Sequence, residues 1–143
     1  MADDERENDM KTDFGDLLRR AASVQRLRTE RSLAEFGVTA GQFAVLAIVV
    51  DRPSISSADI ARIESLTPQT ISVIVGNLVK RGALTRVPHA VHGRIQQIEP
   101  TPSGLDLFAK CAERVHWLEE SLRGEISQMD QPAVRRWLAN IAA

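Results

Sequence analysis

Between Thr67 and Arg94 the chain sets amides, hydroxyls, imidazoles and cations at spacings suited to recognition rather than to bond-making. Wound at about 100° per residue, residues 67–80 put Ile71, Ile74, Val75, Leu78 and Val79 on one arc. Gln69, Val73, Gly76 and Lys80 fall on the other, with Thr70, Ser72 and Asn77 alongside. The apolar arc is a core face. The outer arc matches base edges: Gln and Asn amides pair bidentately with adenine, Ser and Thr hydroxyls reach most edges, and a Val side chain touches a thymine methyl. Thr67 opens the helix, where backbone donors meet a phosphate, and Lys80 and Arg81 at its end supply phosphate-holding cations. Arg86 and Arg94 follow on either side of His89 and His92.

Other chemistries find less support. His89 and His92 have a spacing zinc accepts, but they offer two nitrogens on an exposed turn without Cys or carboxylate beside them, so no metal is assigned. They are read instead as free imidazoles that add positive charge beside phosphate as pH falls. His116 lies on the apolar stripe of a later helix beside Ala109 and Ala112, and is read first as a buried core histidine, second as a ligand contact. Gln25 and Arg28 turn polar along a face of the first helix that is otherwise apolar. An inward Arg there anchors a carboxylate or pairs across a dimer. With Phe43 and His116 they form the candidate small-molecule set. Cys111, the only cysteine, cannot form an internal disulfide, suits a reducing compartment, and is read as structural. A Gly-rich phosphate loop and a nucleophile spaced to a base are both absent from the sequence, so neither enzyme nor cofactor is expected.

The elements that must carry these residues are almost all helical. Phe14, Leu17, Leu18, Ala21 and Val24 recur with helical spacing, predicting a long first helix over about 13–35. Thr39 and Gln42 read as a capping box ahead of a second helix that "DRPS" stops. Ser56 with Asp59 opens a short third, and Thr67 with Pro68 opens a fourth that Gly82 closes. "LTRV" and "RIQQIEP" then flank "PHAVHG" with period two, predicting a hairpin. Thr101 and Pro102 cap a long fifth helix along Leu105, Phe108, Ala109, Ala112, Val115, Leu122 and Ile126. Asp130 and Pro132 start a sixth.

The 143 residues suffice for one domain, placed at 13–143, behind an acidic tip at 1–12 expected to be disordered. Net charge is −1, but residues 52–100 hold six Lys or Arg against Asp59, Glu64 and Glu99, a local +3 that leaves −4 for the remainder. A basic middle suits a nucleic-acid partner. With no apolar run long enough to span a bilayer and no basic-then-apolar start, a cytoplasmic protein without a membrane partner is expected.

The order helix, helix, short helix, reading helix, hairpin, long helix, terminal helix resembles the MarR family of transcriptional regulators. The likeness is carried by "LTPQTISVIVGNLVKRGALTRVP", by "GR" at the hairpin end and by "IEPTPSG". It implies a mostly α (α+β) fold: a winged helix-turn-helix over about 39–100 with a two-stranded wing, and dimerisation helices over about 13–36 and 101–142. It further implies an obligate homodimer sharing Phe14, Leu17, Leu122, Trp137, Leu138 and Ile141. The function implied is repression at a pseudo-palindromic DNA operator, with release by a small aromatic or acidic ligand. Trp117, well round the fifth helix from its apolar stripe, independently asks for a partner. Two departures stand out. Val73 and Asn77 occupy positions where the family often carries cations, and His89 and His92 stand where acidic residues commonly orient the wing arginine, here Arg94. The alternative is a winged-helix module that binds another protein.

Overall fold

The computed structural model describes residues 13–143, so the expectation for the acidic tip lies outside the described residues. Helix α1 (Phe14–Leu33) buries only Leu33 and tightens into a 3-10 turn, Ala34–Phe36, which Gly37 ends in the left-handed region at φ +64°. Helix α2 (Ala40–Asp51) begins at the expected capping box: Thr39 Oγ1 accepts from the Gln42 amide at 3.1 Å while Gln42 Oε1 accepts from the Thr39 amide. Such a cap is worth about 1 kcal/mol, and it fixes where the chain turns from α1 into the centre of the domain.

Strand β1 (Ile55–Ser56) leads into helix α3 (Ser57–Glu64), capped by Ser56 through the Asp59 amide. Thr67 caps helix α4 (Pro68–Lys80), and Pro68 at its first turn loses no hydrogen bond there. The last turn of α4 ends in paired reverse bonds, Gly82 N–H to Val79 and Ala83 N–H to Leu78, with Gly82 at φ +82°. That geometry favours glycine. Strands β2 (Leu84–Pro88) and β3 (Gln96–Pro100) form the predicted hairpin. Helices α5 (Pro102–Gly124) and α6 (Gln131–Ala142) complete the chain.

Three features differ from the sequence-based expectation. The sheet has three antiparallel strands in the order β1-β3-β2, with Ile55 opposite Ile98 and Arg86 opposite Ile98 on the other side. A two-residue strand inside a loop has no periodicity to read, yet it covers the inner edge of the wing. Asp130 does not cap α6 with its side chain. Ser127 caps the preceding turn instead, accepting the Asp130 amide and donating to the Asp130 carboxylate. The inward face of α5 is also rotated from the expected stripe. Gly104 and Cys111 are buried with Leu107, Phe108 and Val115 against them, while Leu105 is exposed.

The main core gathers Val45, Leu46 and Val49 of α2, Ile60 of α3, Ile71, Val75 and Leu78 of α4, and Leu84 and Ile98 of the sheet. A smaller cluster of Leu33, Val38 and Cys111 lies under the α1–α2 turn. Both α1 and α6 contribute little to either, and α6 has no buried residue at all. The long helices therefore present apolar side chains outward.

Candidate nucleic-acid interface

Two short helices joined by a tight turn set up the site. Helix α3 buries Ile60 and Ala61, and the turn after it is closed by Leu66 N–H to Ala61, with Ser65 in the left-handed region at φ 53°. This reversal aims α4 away from the core at its N-terminal end. Ile71, Val75 and Leu78 are fully buried, with Ile74 and Val79 packed beside them, so the rotation of α4 about its axis is settled by the core. The expected outer residues Thr67, Gln69, Thr70, Ser72, Val73, Asn77 and Lys80 are consequently all exposed. Val73 is 63% exposed, a branched apolar side chain facing water in the middle of a polar arc. Thr70 is partly engaged: its hydroxyl lies 2.8 Å from that of Thr67.

Next to this arc stands the wing. Arg86 and Arg94 are exposed, and among the described residues neither they nor Lys80 forms an ion pair. These three charges stay available to an anionic surface. The wing tip is ordered from within: His89 N–H donates to Ile95, Ile95 N–H to His92, and His89 Nδ1 accepts from the Val91 and His92 amides at 3.1 Å each. His92 is exposed, whereas His89 is half-buried with its Nδ1 occupied, which departs from the expectation of a free imidazole there.

Arg81 also departs from its expected role. Its guanidinium turns back from the end of α4 and donates to the carbonyl oxygens of Phe36 and Gly37, so it is committed inside the fold rather than presented to a phosphate. The sequence carried one sign of this, Gly37, whose left-handed turn brings those carbonyls round to the Arg.

The candidate small-molecule residues are dispersed in the single chain. Phe43 stacks on Phe108 with ring centres 5.9 Å apart. Gln25 is half-buried, and Arg28 and His116 are exposed. The core reading of His116 is thereby overturned: α5 turns that face away from its own chain. An open apolar cleft of about 470 Å³ lies between α1 and α6, lined by Phe14, Leu17, Leu18, Ala21, Trp137 and Leu138. A polar one of about 330 Å³ lies beside Arg81, between Glu35, Phe36 and Lys110. None of the four candidates lines either cleft. Of the expected dimer residues, Phe14 is 80% exposed, and Leu17, Leu122, Trp137, Leu138 and Ile141 are exposed too. Phe14 and Trp137 meet edge to face at 6.2 Å, which joins α1 and α6 into one apolar surface. Among the described residues no group of three or more His, Cys, Asp or Glu is placed to hold a metal ion, and no single helix is long and apolar enough to cross a membrane.

A helix-turn-helix that exposes an uncommitted polar arc, followed by a three-stranded sheet with a cationic hairpin, defines a winged helix-turn-helix protein. Comparison with known proteins agrees. A profile described as MarR family matches residues 36–95. An HTH-type transcriptional repressor of Mycobacterium tuberculosis is 35% identical over 130 residues, covering 91% of this chain and 94% of that protein. The chain belongs to the MarR family of transcriptional regulators. Among solved structures, a M. tuberculosis MarR family protein in complex with salicylic acid superimposes with a TM-score of 0.71 at 26% identity, covering 91% of this chain and 96% of that one. The Staphylococcus aureus MepR–DNA complex gives 0.84 at 21% identity over 90% of this chain and 96% of the other, a likeness of fold.

Proposed function

We propose that this chain is a homodimeric, sequence-specific DNA-binding repressor, working in the cytoplasm and released from its operator by a small ligand. The observation that carries the proposal is the outer arc of α4. Seven side chains from Thr67 to Lys80 face solvent while the core needs none of them, and Lys80, Arg86 and Arg94, which form no ion pair among the described residues, flank them. Gln69, Thr70, Ser72, Val73 and Asn77 are assigned to base edges in the major groove, with Arg94 and His92 at the wing next to the backbone or minor groove. Arg86 and Lys80 are assigned to phosphates. The related M. tuberculosis protein carries the name of a repressor, and a MarR family protein of that organism is known with salicylic acid bound. Both support repression and an aromatic acid as the class of effector.

Dimerisation follows from the outward faces of α1 and α6. Full burial of each large apolar side chain is worth about 1.5–3 kcal/mol, and among the described residues nothing buries Trp137, Leu138 and Ile141 fully. Two copies place two α4 helices in successive major grooves about 34 Å apart, the spacing of a palindromic site. In the dimer, Gln25, Arg28, Phe43 and His116 are candidates to meet an effector that the partner copy helps enclose.

The test uses a duplex recovered by the protein from genomic fragments, and a scrambled duplex, at one salt concentration. Gln69→Ala and Asn77→Ala should each lose about 1–3 kcal/mol on the recovered site and far less on the scrambled one, with melting temperatures close to the parent. Equal losses on both duplexes would reduce α4 to a scaffold.

A further inference from the structure

The end of the reading helix is fastened to both long helices. From the C-terminal cap of α4, Arg81 crosses to the end of the α1 segment and donates to Phe36 O and, at 2.9 Å, to Gly37 O. Carbonyls at a helix end lack helical donors, and the planar guanidinium fork spans two of them as an ammonium cannot. The same turn is held from α5, where Arg114 donates to Glu35 at 2.7 Å and stands 5.5 Å over the Phe36 ring. One residue beyond Arg81, the chain is sewn to the start of α5: Thr101 Oγ1 donates to Gly82 O and accepts from the Gly104 amide, and the Thr101 amide donates to Ala83 O at 3.0 Å.

Helix α4, seated in the winged domain by Ile71, Val75 and Leu78, is therefore tied to both long helices at its C-terminal end. Its 13 residues span about 20 Å, so a rotation of ~10° at the clamp moves the base-reading end by ~3 Å, close to the rise of one base pair. We propose that Arg81 is a positioning residue: by tying α4 to Phe36 and Gly37 it sets the angle between the reading helix and the dimerisation helices, and hence the separation of the two reading helices. The role presupposes the dimeric DNA reader proposed above, and it differs from a phosphate contact in what it controls.

Arg81→Met keeps the aliphatic stem and removes the fork; Arg81→Lys keeps the charge and loses the second donor. Both are compared with the parent on the recovered duplex and on versions whose half-sites are one base pair closer or farther, at several salt concentrations. Expected for Arg81→Met is a loss of about tenfold in the preference for the native spacing, the scale of one charge-assisted hydrogen bond, at an unchanged salt slope. Arg81→Lys should fall between. Amide hydrogen exchange over residues 34–38 and 78–83, measured without DNA, should quicken in the same order at similar melting temperature. A salt slope lower by about one with spacing preference intact would overturn the proposal in favour of a phosphate contact. Unchanged exchange in both variants would overturn it as well, even if a variant lost DNA binding. A parent protein indifferent to spacing would instead refute the dimeric reader, and the exchange measurement would still decide whether Arg81 is a clamp.

Discussion

His89 shows how a side chain suited to contact a ligand can be consumed by its own loop. Its Nδ1 is the acceptor for two backbone amides, the service an Asn or Asp oxygen commonly performs in a turn. With both amides pointing at it, this nitrogen is committed to the wing tip and is not offered to DNA. The His92 ring lies 5.5 Å away. His89→Asn should keep the Val91 and His92 amides protected from exchange, and His89→Ala should expose them. Equal protection in all three proteins would show that the imidazole does not hold the turn. Cys111 is a second single-residue case. Burial pushes its thiol up, only partly offset by the positive charge of Arg81, so the folded chain favours the neutral form. The contribution to stability is then constant at lower pH and declines as pH rises past the thiol range of the unfolded chain, about 8.5. Alkylation at pH 8 should be slow in the native protein and fast in denaturant; rapid native alkylation would contradict the buried placement.

Among the elements, the junction from β3 into α5 is the least tolerant. A Cβ built on Gly104 would stand 1.9 Å from the Ala83 carbonyl oxygen, an approach no rotamer change relieves because both groups are backbone. Glycine is required there by proximity. Thr101 alone uses its hydroxyl both as the α5 cap and as a donor to the end of α4, which is why this stretch is so closely packed. Gly104→Ala should destabilise the chain by about 3 kcal/mol or more, the upper end of overpacking costs, and denaturant titration reads this directly. Gly124→Ala, where the added Cβ meets nothing within 4 Å, is the control and should be tolerated. A mild effect at Gly104 would mean that α5 can slide away from Ala83 without disturbing the core.

For the whole molecule, the single chain leaves an apolar surface joined by the Phe14–Trp137 contact. Removing residues 131–143 takes away Trp137, Leu138 and Ile141 and should convert a dimer into a monomer or an aggregate with loss of operator binding, since subunit association and folding are linked. Sedimentation of the full chain as a stable folded monomer would refute this. The charge balance acts at the same scale. The basic middle of the sequence collects Lys80, Arg86 and Arg94 on the α4 and wing side, so that a protein of net charge −1 still offers a local cationic surface to a polyanion.

Local chemistry in the sequence settled a good part of this protein. Thr39 with Gln42, Ser56 with Asp59, Thr67 with Pro68, and Thr101 with Pro102 mark helix starts because capping is decided within four residues. The two arcs of α4 were legible because a helix buried on one side writes its orientation into a 3.6-residue period. The fork of Arg81 was not, since it depends on where a side chain meets backbone 44 and 45 residues away. Nor was the acceptor role of His89, though local, because a free imidazole is as compatible with a turn as a bonded one. The inner face of α5 was also beyond periodicity: a helix covered on one side by its own chain and apolar on others has no single stripe, and only packing against Leu33 and Ala83 selected Cys111 and Gly104. Hydrogen bonds and close contacts between residues 44 or more apart in sequence, as from Arg81 to Gly37, come into being only when the tertiary structure closes, and it is there that the angle of the reading helix is decided.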